Sequence, residues 1–121
     1  DVPCANINMF YLEKCNNFYI FKCDDIFEQL GFSVKITQAT RDDGKDIIAT
    51  KADPIPYTLI IECKHWGENH KVDVSVVRSV YGVQMAMQAN QSVIVTSSRF
   101  TKDARAFAEE RENLSGESTG V

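Results

Sequence analysis

The chain has 121 residues, 44% of them hydrophobic and 25% charged, with a net charge of −4. That length is enough for one domain with its own core. No run of about 18 apolar residues is present to span a bilayer as a helix, and the acidic balance excludes a strong grip on nucleic acid through basic residues alone. No basic segment followed by an apolar one marks a signal peptide, and the start at Asp1 without Met suggests an excised fragment. Cys4, Cys15, Cys23 and Cys63 form no Cys-x-x-Cys pair. Zinc is therefore not expected, and reduced thiols in a cytoplasmic protein are.

Residues 1–17 show no clear periodicity and are read as an N-terminal arm or a short strand. From Phe18 to Leu30 apolar residues fall at helical spacing, at Phe18, Phe21, Ile26, Phe27 and Leu30, and Gly31 ends that helix at its C′ position. Phe32 to Thr37 alternates apolar and polar residues, a half-buried strand with Lys35 turned to solvent. The polar loop that follows carries Arg41, Asp42, Asp43 and Lys45.

Asp46 to Lys64 is the informative stretch. Asp46-Ile47-Ile48-Ala49-Thr50-Lys51 and Tyr57-Thr58-Leu59-Ile60-Ile61-Glu62-Cys63-Lys64 flank a turn containing Pro54 and Pro56, which predicts a β-hairpin. Side chains on a strand alternate with period two, so Glu62 and Lys64 share a face and Cys63 takes the other. A hairpin of this length brings Asp46 beside Glu62. Two clustered carboxylates suit a hard cation such as Mg²⁺, which lowers the pKa of water, and a lysine beside them can stabilise charge on a phosphate. The plainer alternative is a surface ion pair contributing at most about 1 kcal/mol.

His65-Trp66-Gly67-Glu68-Asn69-His70-Lys71 follows; His65 and Lys71 are candidate phosphate contacts, and Trp66 is expected to cap the core. Asp73 reads as the N-cap of a helix running to about Gln88, with enough apolar residues to bury two sides. Ser92 to Thr96 is an unalternating apolar run, a strand buried on both faces. Thr101 caps a last helix, near which Arg99 and Lys102 are candidates for contact with a DNA backbone. The domain is placed at residues 18–112 and a disordered tail at 113–121.

Asp46 and Glu62-Cys63-Lys64 resemble the PD-(D/E)xK nuclease signature. Leu30-Gly31-Phe32-Ser33-Val34, Asp42-Asp43-Gly44-Lys45-Asp46-Ile47, Glu62-Cys63-Lys64-His65-Trp66, Val77-Arg78-Ser79-Val80-Tyr81-Gly82 and Val93 to Ala104 are similar to the Mrr-like restriction endonucleases, in the same order. The resemblance implies an α/β restriction-endonuclease-like fold, a small mixed sheet flanked by helices. It implies Mg²⁺-dependent cleavage of double-stranded DNA, with Mn²⁺ able to substitute. Asp46, Glu62 and the Cys63 carbonyl would hold the ion and Lys64 would serve catalysis. Arg41, Lys45, His65, Lys71, Arg99 and Lys102 would meet DNA. The family's first-helix Glu is replaced here by Tyr19-Ile20-Phe21, which leaves Glu28 and Asp24 as nearby acids; Glu28 and Gln84 are candidates to support the site. A homodimer and a fused DNA-reading domain outside this sequence are further expectations. The alternatives are a nuclease-fold DNA-binding or assembly module without turnover, and a structure-specific nuclease acting on junctions.

Overall fold

The computed structural model describes residues 9–39 and 45–120, with side chains over 9–16, 19–37 and 45–111. In chain order the elements are β1 (Met9–Leu12), α1 (Asn17–Phe21), α2 (Cys23–Gln29), β2 (Ser33–Ala39), β3 (Lys45–Lys51), β4 (Tyr57–Lys64), α3 (Val74–Ala86), β5 (Gln91–Thr96) and α4 (Lys102–Gly120).

Five strands make one mixed sheet in the order β1-β5-β4-β3-β2. β2, β3 and β4 pair antiparallel, and β4, β5 and β1 pair parallel. Parallel neighbours need a crossover connection, and α3 supplies it between β4 and β5. Helix α3 begins where expected: the Asp73 carboxylate accepts from the backbone N–H groups of Ser75 and Val76. Thr101 likewise accepts from the Ala104 N–H at the start of α4. All six residues of β5 are buried, as its unbroken apolar pattern predicts.

Strand alternation divides the interior into two layers. Ile60, Ile94 and Met9 face α3 and α4 and pack with Val77, Val80, Phe100 and Ala104. Ile47, Ala49, Leu59, Ile61, Cys63, Val93 and Val95 face the other way and pack with Ile20 and Cys23. The sheet is thus covered on both sides, the restriction-endonuclease-like arrangement expected from the sequence.

Of the two readings of the first segment, the short strand describes Met9–Leu12: β1 lies parallel to β5, and burial of Met9 ties it to the core. The predicted Phe18–Leu30 helix is two helices, because Lys22 leaves helical angles at φ −103 and ψ 14. The break frees the Phe21 carbonyl, which accepts from Lys45 Nζ at 2.6 Å. Finally, α4 runs to Gly120, through the segment read as a disordered tail. Helix propagation adds a hydrogen bond for each residue fixed, so a helix already anchored by Ala104 and Ala108 can extend past Asn113. Gly31, by contrast, has the positive φ of +96 that a C′ glycine supplies.

Candidate active site

Asp46 and Glu62 are direct register partners across β3 and β4. Partners in an antiparallel pair present their side chains on the same face about 5 Å apart, so the hairpin alone brings the carboxyls together. Lys64 stands two residues beyond Glu62 on that face, and its Nζ lies 2.9 Å from a Glu62 carboxylate oxygen. Both side chains of that pair are only 18% exposed.

The surroundings fix Lys64 from two directions. Its carbonyl accepts from the Thr96 hydroxyl at 3.0 Å and from the Ser97 N–H at 3.2 Å, which pins the end of β4 to β5. Its ammonium lies 5.1 Å from the centre of the Trp66 ring, within range of a cation–π contact. Trp66 in turn stacks on His70 at 3.7 Å and packs against the core below α3.

Both carboxyls are pushed above the ordinary carboxylate range. For Asp46 the main cause is burial, opposed by the charge of Lys64. For Glu62 it is again burial, opposed by Lys64 and reinforced by the negative charge of Asp46. Two half-buried carboxyls in contact resist joint ionisation. A divalent cation between them would relieve that repulsion, and two carboxylates with waters and a phosphate oxygen form a common Mg²⁺ donor set. The residues present therefore fit such an ion. Among the described residues no group of three or more His, Cys, Asp and Glu converges, so the donor set rests on this pair and neighbouring backbone oxygens.

A restriction endonuclease family model, that of the Mrr catalytic domain, matches residues 21–115. The chain belongs to this restriction endonuclease family. AspBHI, a DNA modification-dependent restriction endonuclease, matches in structure with a TM-score of 0.52 at 22% identity, over 88% of this chain and 32% of its own. The MspJI restriction endonuclease in complex with a 27-mer oligonucleotide matches with a TM-score of 0.42 at 13% identity, over 82% of this chain and 27% of its own. The uncharacterized protein y4cE of Sinorhizobium fredii is 29% identical over 83 residues, which are 66% of this chain and 21% of that protein. The chain thus spans a third or less of the length of each of these proteins.

Within this family member the other expected site residues divide. Cys63 sends its thiol to the opposite layer, where it is hydrogen-bonded to Cys23; that bond and burial push its pKa well up, while Cys23 is held low as the partner. Only the Cys63 backbone remains beside the carboxyl pair. Lys45, expected at DNA, is turned to the α1–α2 side with Cys63, and its Nζ donates to Asp24 at 2.7 Å. It is committed to holding that layer together. Glu28 is exposed on α2 and does not join Asp46 and Glu62. Asp24 is paired with Lys45.

Gln84 is fully buried and accepts from the Ser92 hydroxyl at 2.7 Å, while its Nε2 has no hydrogen-bond partner among the described residues. It braces α3 against β5 beside Ile60, the strand neighbour of Ser92. The rings of His65 and Phe21 meet in a T-shaped contact. Lys71, Arg99 and Lys102 are exposed around the Val72–Phe100 bridge, beyond the Lys64 end of β4. Arg41 lies outside the described residues.

Trp66 reads from the sequence as a core cap in preference to a base-stacking residue; its place under Lys64 was not legible. The signal was present in the spacing, since Glu62, Lys64 and Trp66 continue one alternation. Thr37, at a bulge in β2, also escapes sequence reading; its hydroxyl donates to the Asp46 carbonyl at 3.2 Å.

Proposed function

We propose that this chain is the catalytic portion of a Mg²⁺-dependent DNA endonuclease that hydrolyses phosphodiester bonds. One observation carries the reading: Asp46 and Glu62 face each other across the hairpin with Lys64 on the same face, bonded to Glu62. Asp46, Glu62 and the Cys63 carbonyl would hold the cation. When bound, such an ion lowers the pKa of water and neutralises charge on the phosphate. Lys64 is fixed to donate toward the attacking water or the phosphoryl oxygens, where negative charge grows as the water oxygen bonds to phosphorus and the leaving oxygen departs. The rigid sheet supplies positioning; Trp66 and the Lys64 carbonyl contacts hold the ammonium near its task.

Double-stranded DNA is the substrate this reading favours. Cutting both strands calls for two such sites, hence a homodimer, and a DNA-reading domain would lie elsewhere in a longer protein. The test is plasmid cleavage in Mg²⁺ or Mn²⁺ by the wild type, Asp46→Ala and Lys64→Ala. Each variant is expected to lose on the order of 100-fold or more. Equal cleavage by all three sinks the assignment.

A nuclease-fold module without turnover is the second reading, favoured by the lack of a third converging acid among the described residues. Calorimetry separates the two. Saturable Mn²⁺ binding lost in Glu62→Gln belongs with the enzyme; no binding by the wild type belongs with the module.

A further inference from the structure

The face that carries Asp46 and Glu62 is only partly roofed. Beside α3 a cleft of about 260 Å³ opens over β2, β3 and β4. Asp46 and Glu62 line it, Ile48 and Ile60 contribute apolar floor, and Val83 and Met87 contribute the α3 wall. Val83 and Met87 are each 46% exposed. Past the floor stands Lys35. It is the register partner of Ile48, which puts its side chain on the same face, and it is exposed. Ile48 is two residues from Asp46, about 7 Å along the strand, and Lys35 is one strand over, about 5 Å.

The sequence of surfaces is therefore carboxyl pair, aliphatic floor and wall, then ammonium. With a cation on the carboxyl pair, a DNA strand repeats the complementary order: phosphate, nucleoside with apolar sugar and flat base, phosphate. We propose that the cleft seats the nucleoside next to the scissile phosphate, and that Lys35 holds the following phosphate. This rests on the nuclease reading and adds to it a direction across the protein. The strand enters over Lys35, passes the cleft and the carboxyl pair, and leaves toward Lys71, Arg99 and Lys102. An apolar side chain from a protein partner fits the middle of this surface but leaves both charged ends unmatched, whereas a nucleotide matches all three once the carboxyl pair holds a cation. Exposed aliphatic side chains beside a polar site are also what a binding groove presents.

The test fills the cleft without altering charge. Val83→Trp and Met87→Trp are compared with Met85→Trp, a 44% exposed residue of the same helix that does not line the cleft. Binding of a short labelled DNA duplex is followed by fluorescence anisotropy in Ca²⁺, and Mn²⁺ binding by calorimetry. The expected result is binding weakened about tenfold or more by both cleft variants, wild-type binding by Met85→Trp, and unchanged Mn²⁺ binding throughout. Lys35→Ala is expected to reduce the slope of log affinity against log salt by about 0.9, the loss of one phosphate contact. Wild-type DNA affinity in Val83→Trp and Met87→Trp overturns the proposal. So does a wild type that binds no DNA, or cleft variants that alter self-association in place of DNA binding. A wild type that binds DNA through the cleft yet cuts none in Mn²⁺ upholds the subsite and removes the nuclease reading alone.

Discussion

Neighbouring residues on β3 and β4 do opposite jobs on the two faces of the sheet. Lys45 and Cys63 turn toward α1 and α2, where each polar group finds a partner: Lys45 with Asp24 and the Phe21 carbonyl, Cys63 with Cys23. Asp46 and Glu62, one step away on the same strands, turn toward α3 and meet each other. Like charges are brought together there, and Lys64 offsets them only in part. The contrast separates a layer built for stability from one that holds electrostatic strain. Carboxyls forced together by backbone register, with their pKa raised by burial, are poor for folding, and a cation between them would relieve the repulsion.

The largest effect should come from opening the closed layer. Ile61 is fully buried between Ile47 and the helices of that side. Ile61→Ala is expected to cost about 2–5 kcal/mol, read by denaturant unfolding. Because Ile61 adjoins Glu62, an unchanged stability would mean the layer yields easily and does not fix the site.

A smaller effect follows from removing the satisfied pair. Burial opposes ionisation of Asp24, but the hydrogen bond and charge of Lys45 outweigh it and hold the carboxyl below its usual range. An acid whose folded pKa is lowered contributes stability above its unfolded value, and loses it as pH falls through the folded value. Asp24→Asn should therefore cost about 1–2 kcal/mol near neutrality, and the deficit should vanish in acid below the carboxylate range. Unfolding curves across pH check this. Mn²⁺ binding should be untouched, since the pair lies on the other face.

Asp46→Asn should behave in the opposite sense. Asp46 and Glu62 have raised pKa values in the fold, so their contribution is present in acid and lost as pH rises from the unfolded carboxylate value through the folded ones. The variant is expected to match the wild type in acid and to melt a few degrees higher near neutrality, by roughly 1 kcal/mol, while losing cleavage. A lower melting temperature at neutral pH would show that the two faces do not differ as described.

Much of the fold was legible because it depends on local periodicity. The Ile- and Val-rich strands, the Asp73 and Thr101 caps, the glycine at 31 and the hairpin all follow from rules that act over a few residues. The break at Lys22 and the pairing of Met9–Leu12 with β5 were not legible, because each depends on partners far along the chain. The same holds for Lys45. Its charge beside Asp46 pointed to DNA, but alternation sent it to Asp24, a residue 21 positions away.

Taken alone, the amino-acid order determined which residues share a face: Asp46, Glu62 and Lys64 are set by hairpin register and a period of two, both properties of the backbone. Tertiary structure decided what each face meets. Whether a lysine is paired, a tryptophan lies beneath an ammonium or an aliphatic cleft opens beside the carboxyls depends on how α1 to α3 settle on the sheet. That packing joins residues whose positions in the sequence carry no trace of their contact.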